Sequence, residues 1–130
     1  MIQYTTNMEQ GAKIASFGIK ASTAPMRFDE NGVLHIGSPV DGEVPAWDLY
    51  TLTQILPSPR FKLNTDDEYY LTIDGTIAGY MEDRTGDDTW HWYVLFDKHE
   101  NLWDNIVDLI EYAVSKKWIK KKFMNSTKKK

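Results

Sequence analysis

The side chains able to carry a proton near neutrality are His35, His91 and His99, because imidazole alone has an ordinary pKa between pH 5 and 8. A histidine base needs a hydroxyl or thiol to activate, a carboxylate to orient it, or a second histidine one helical turn away to share a metal. None of the three has a diagnostic neighbour, and neither Gly-x-Ser-x-Gly nor His-Glu-x-x-His occurs. His91 lies between Trp90 and Trp92 in an apolar run, which suits a structural role. It is also the base to expect if the chain is a small enzyme whose site is assembled from distant residues. No catalytic residue is assigned from sequence.

Carboxylates are the other reactive groups, grouped as Asp66, Asp67 and Glu68, then Glu82 and Asp83, then Asp87 and Asp88. Two acids across a cleft can hydrolyse a glycoside, and several convergent oxygens can hold Mg²⁺ or Ca²⁺. These groups fall in turn-rich segments, where a solvated acidic edge is the simpler expectation. Asp83-Arg-Thr-Gly-Asp-Asp88 lacks the alternating oxygen ligands and twelfth-position glutamate of a calcium loop. With no phosphate-binding glycine loop and no cysteine, neither metal nor cofactor is expected.

Net charge of −4 conceals a separation. Residues 1–115 carry 19 acidic and 7 basic side chains, a formal −12, whereas residues 116–130 carry 8 lysines and no acid. An acidic body of this kind repels free nucleic acid and attracts basic protein surfaces. The candidate surface is the three carboxylate groups above together with Asp104, Asp108 and Glu111 on the long helix. The partner expected is a protein with a basic surface, including a nucleic-acid-binding protein whose site is already shaped for a polyanion; the alternative is a structural or accessory domain whose acidity serves solubility. Direct nucleic-acid contact is expected only through the lysine tail.

The elements that position these groups are read from apolar periods. Tyr69, Leu71 and Ile73 alternate with Tyr70, Thr72 and Asp74, and Asp74-Gly75 supplies a hairpin turn before Ile77–Met81. Gly79 within the second arm marks a bulge or a close approach. Trp90–Phe96 reads as a central strand with Trp90, Trp92, Val94 and Phe96 on one side. A long helix follows, capped by Asp97 or Asn101, with Trp103, Ile106, Val107, Ile110, Ala113 and Val114 recurring at three- and four-residue steps. The expected core joins this stripe to Leu71, Ile73, Ile77, Trp92, Val94 and Phe96.

The stretch Tyr70-Leu-Thr-Ile-Asp-Gly-Thr-Ile-Ala-Gly-Tyr80, followed by a strand and a helix, resembles the middle of an acetyltransferase of the N-acetyltransferase superfamily over about fifty residues. The resemblance implies a pyrophosphate-binding loop, Arg/Gln-x-x-Gly-x-Gly/Ala, before the helix. This chain has Asp97-Lys-His-Glu-Asn-Leu102 there, with negative charge where a polyphosphate would sit.

Upstream, Asn31-Gly32 turns a second hairpin with arms Met26–Glu30 and Val33–Ile36, and Gly11 and Gly18 favour a strand over a helix from about Lys13 to Lys20. Ser38–Pro45 reads as a loop, Pro45 as the opening of a short helix ended by Pro57, and Arg60–Leu63 as a short strand. The fold class expected is α+β, a mainly antiparallel sheet of hairpins against one long C-terminal helix. Residues 1–124 form one domain in this reading, and residues 125–130 a flexible lysine-rich tail. With no apolar run near the roughly 20 residues a bilayer requires and no secretion signal in residues 1–20, the cytoplasm is the expected location.

Overall fold

A computed structural model describes residues 3–57, 60–62, 68–83 and 90–126 of the chain. In order they form helix α1 (Met8–Ser16), strands β1 (Met26–Phe28), β2 (Leu34–Ile36) and β3 (Val44–Ala46), helix α2 (Leu49–Ile55), strands β4 (Arg60–Lys62), β5 (Glu68–Asp74), β6 (Ile77–Asp83) and β7 (Trp90–Phe96), and helix α3 (Leu102–Ser115). Strands β2-β1-β3 make one antiparallel sheet and β4-β5-β6-β7 another. This is the expected α+β class, and α2 is the short helix anticipated before Pro57. The upstream hairpin belongs to a sheet of its own.

The segment from Lys13 to Lys20, expected as a strand, is helical up to Ser16. Its helix starts earlier, at a reciprocal cap: Asn7 Oδ1 accepts from the Gln10 amide at 2.8 Å, and Gln10 Oε1 accepts from the Asn7 amide at 2.9 Å. Two orphan donors of the first turn are thereby satisfied. Gly11, which argued against a helix, is needed for packing: a Cβ there would strike the Pro45 carbonyl, so only glycine lets α1 lie this close to β3. Gly18 falls beyond the helix end.

Pro45 lies within β3 and does not open a helix; Asp48 caps α2 by accepting from the Thr51 amide at 2.9 Å. Strand β3 is an edge, paired only to β1, and an edge tolerates a residue with no N–H to donate. The β1–β2 hairpin turns through a five-residue loop, Asp29 to Val33, longer than the two-residue turn at Asn31-Gly32. Asp29 Oδ1 organises it by accepting from the Asn31 and Val33 amides at 2.8 and 2.9 Å.

In the larger sheet the β5–β6 hairpin is present with its turn one residue later than read. Asp74 pairs with Ile77, leaving Gly75-Thr76 as the central pair, with Gly75 at φ 63°. The arm face Tyr69, Leu71, Ile73 does turn inward, joining Ala78 and Tyr80 of β6 against the core.

Strand β7 departs most from expectation. It is an edge strand, and its register slips at Tyr80/Met81, which pair with Val94 and Trp92. Tyr93 is the extra residue of this bulge. Strict alternation would keep Trp92 with Val94 and Phe96; the bulge reverses the side on which Trp92 stands. Val94 and Phe96 pack on the core, whereas Trp92 is 37% exposed on the opposite face. Gly79 is required here, since a Cβ would strike the Val94 carbonyl and would lie 3.1 Å from the Trp92 ring.

Helix α3 buries Trp103, Asn105, Ile106, Val107, Leu109, Ile110 and Ala113 against the sheet and α1. The stripe is as read, apart from Asn105. At its C-terminus the Lys117 amide donates to Val114 O at 3.0 Å and the Trp118 amide to Ala113 O at 2.9 Å. This is the Schellman arrangement, whose left-handed residue is normally glycine. Here it is Lys117, at φ 63°, the one non-glycine with positive φ among the described residues. The turn directs Trp118 into a cluster with Phe61, Tyr80, Tyr93 and Tyr112, at ring separations of 4.9 to 6.0 Å.

A left-handed non-glycine residue costs on the order of 1 kcal/mol. Lys117→Gly is therefore expected to stabilise the fold by about 0.5–1 kcal/mol, read as a higher urea midpoint with an unchanged slope. A lower midpoint would show that the lysine side chain stabilises the native state by more than its backbone strain.

Candidate functional site

Asn101, not Asp97, caps α3: its Oδ1 accepts from the Asp104 amide at 2.8 Å and its Nδ2 donates to Asp104 Oδ2 at 2.7 Å. The other oxygen, Asp104 Oδ1, accepts from Gln10 Nε2 at 2.8 Å. Since Gln10 also closes the α1 cap, one glutamine joins the starts of the two helices.

Asn105, fully buried, makes the second connection. Its Oδ1 accepts from the His99 amide at 3.0 Å, and its Nδ2 donates to His99 O at 3.0 Å and Thr76 O at 2.7 Å. The β7–α3 loop and the tip of the β5–β6 hairpin are thereby fixed to the first turn of α3. These bonds bring Glu9, Asp74, Asp97, Glu100, Asp104 and Asp108 to one end of the molecule, with Glu111 one turn further along α3. Glu9, Asp74, Asp97, Glu100 and Glu111 are exposed.

Of the residues singled out from sequence, Asp104, Asp108 and Glu111 fall in this group. Glu68 and Asp83 are half-buried and face each other in register at the opposite end of the hairpin, roughly 20 Å away at the rise of a strand. Glu82 is 6% exposed, on the core side of β6 opposite His91 and Tyr69. Asp66, Asp67, Asp87 and Asp88 lie outside the described residues. The described candidates therefore occupy two ends. Glu9, Asp74, Asp97 and Glu100 were not among the acidic candidates; the hydrogen bonds of Asn105 and Gln10, together with the pairing of β6 with β7, gather them at this end.

Between the two helices lies a recess of about 220 Å³ lined by Glu9, Gln10, Lys13, His99, Asp104, Val107 and Asp108. His99 Nε2 is 3.0 Å from Asp108 Oδ2. His35 likewise meets Asp29 at 2.7 Å, beside an Arg27–Glu43 ion pair of 3.1 Å. Two histidines thus have carboxylate partners that no short motif announces, separated by six and nine residues. His91, the enzyme candidate from sequence, is set opposite Glu82. Hydrogen bonds from Gln10, and also from Asn101, hold the Asp104 carboxyl below its ordinary value of 3.8. Among the described residues no group of histidine and carboxylate ligands is arranged to hold a metal.

No protein-family model matches the chain, and no match emerges among curated proteins or solved structures.

A carboxyl whose folded pKa is lowered adds stability above its unfolded pKa and loses it as pH falls through the folded one. The contribution of Asp104 is therefore fully present above about pH 4 and declines below it. Urea midpoints taken between about pH 5 and pH 2 should fall less steeply in Asp104→Asn than in the parent chain; parallel profiles would contradict the role given to Gln10.

Proposed function

We propose that the protein is a non-enzymatic binding module that engages a basic protein surface through the carboxylates around the start of α3. The supporting observation is the segregation of charge along that helix. Glu9, Asp74, Asp97, Glu100, Asp104 and Asp108 surround its first turns, accompanied by Lys13, Lys98 and His99, Glu111 lies in its third turn, and Lys116, Lys117, Lys120, Lys121 and Lys122 follow its end. Fourteen residues of helix span about 21 Å, well beyond the roughly 8 Å over which charges are screened at physiological salt. The returning lysines therefore do not neutralise the carboxylates at the helix start, whereas Glu111, five residues before Lys116 and about 7.5 Å from it along the axis, lies within their reach.

A field of this kind accelerates encounter with a basic partner and fixes its orientation. Nucleic-acid-binding proteins are one class that fits, because their sites already accept an array of negative charge. The work is assigned to the cytoplasm. An enzyme reading draws on the His99–Asp108 pair, since a carboxylate beside imidazole is the usual arrangement of an oriented base. The residues lining its recess offer neither a hydroxyl nor a thiol for that base to activate, which favours binding.

Titration with an arginine-rich peptide tests the reading. Reversing Asp74 and Glu100 to lysine, two exposed residues of this end, is expected to lower affinity about tenfold or more at low salt. The same reversal at Glu30 and Asp41, exposed loop residues of the smaller sheet, should change it far less. Equal losses from the two pairs would mean that net charge alone governs the interaction and would dismiss a localised site.

A further inference from the structure

The opposite end of α3 carries a second arrangement, built from different residues. The chain after the helix returns along Gly18–Lys20: the Lys20 amide donates to Phe123 O at 2.8 Å, the Asn125 amide to Gly18 O at 2.7 Å, and Ile19 bridges Met124. Two segments a hundred residues apart in sequence are thereby clasped, and Lys20 is set beside Lys121. Between them opens a groove of about 460 Å³ lined by Lys20, Lys121, Met124, Asn125 and Ser126. It adjoins an apolar recess of about 210 Å³ formed by Val114, Lys117, Ile119, Lys121 and Met124. Lys121 and Met124 line both.

We infer that this groove and the recess beside it hold the phosphate backbone of a nucleic-acid strand, with Lys20 and Lys121 of the groove and Lys117 of the recess as its phosphate contacts. None of these three lysines is paired with a carboxylate among the described residues. Their charge is therefore available to an outside anion. Lys117 occupies the left-handed position that glycine ordinarily fills, and strain retained at one residue points to a use for its side chain. Asn125 and Ser126 add exposed polar groups able to donate to phosphate oxygens.

The carboxylates around the start of α3 lie beyond the screening distance derived above, and Glu68 and Asp83, at this end of the larger sheet, are half-buried and do not line the groove. A lipid surface fits less well. Ile119 is buried and Phe123 and Met124 pack on the core, so the lysines are unaccompanied by an outward apolar wedge of the kind that enters a bilayer. Two lysines in the groove and a third in the recess beside it match a chain of phosphates better than a single phosphate group.

Fluorescence anisotropy with a labelled mixed-sequence single strand of about twenty nucleotides is the test, run at about 50 and 200 mM salt. The full chain should bind with a log–log salt slope near −2, the value for about three neutralised phosphates on a single strand. Lys20→Glu with Lys121→Glu should weaken binding about tenfold or more and flatten that slope. Lys117→Gly, expected to be the more stable protein, should also bind more weakly. Lys98→Glu at the acidic end should change little, which separates this inference from the protein-binding reading. Replacing Lys128, Lys129 and Lys130 by glutamine should leave the Lys20/Lys121 effect in place. Unchanged affinity in the double variant, complete loss in the triple glutamine variant, or stronger binding to vesicles rich in anionic lipid would each overturn the inference.

Discussion

Asn105 imposes the constraint on which the acidic end depends. A primary amide cannot be buried cheaply, because each of its polar groups left unpaired costs about 1–3 kcal/mol. Burial of Asn105 is tolerable only if the His99 and Thr76 backbone groups meet it. The requirement works in both directions: the helix cannot pack in this orientation without the hairpin tip and the loop, and neither backbone segment finds the same partner elsewhere. Ile106 and Leu109 are buried nearby, yet apolar contact is non-directional. The amide selects one arrangement among many that would bury similar area.

Gln10 extends the same logic to α1. Its side chain is spent on the cap of its own helix and on the Asp104 carboxylate, so α1 begins where α3 begins. The helix dipole suits this geometry: helix starts favour negative charge and helix ends positive charge. Asp104 at one end of α3 and Lys116 at the other satisfy it. Charge segregation is therefore compatible with helix stability.

Much of the architecture was legible because it rests on local periods. The apolar stripe of α3, the inward arm of β5 and the role of Gly79 at a close approach all follow from spacing and from the absence of a side chain. What remained hidden depended on tertiary context. Gly11 counts against a helix until α1 is seen pressed on the Pro45 carbonyl, and Trp92 belongs to the core until a bulge at Tyr93 turns it outward. The acidic end was legible only in part, through Asp104, Asp108 and Glu111. Its other members enter through Asn105 and Gln10, two polar residues in the buried faces of helices, which periodicity analysis treats as interruptions. The His99–Asp108 pair was obscured similarly, since a loop and two helical turns separate its members.

The two ends of α3 then differ in charge, with carboxylates around its start and lysines after its end, on a frame held by a few directional bonds. Amide hydrogen exchange at His99, compared with Ile110 in the middle of α3, examines that frame most directly. The His99 amide should exchange through the same rare opening as Ile110 in the parent chain, and in Asn105→Ala it should become much faster relative to Ile110. Fast exchange at His99 in the parent, or an unaltered ratio in the variant, would show that Asn105 does not hold this end together.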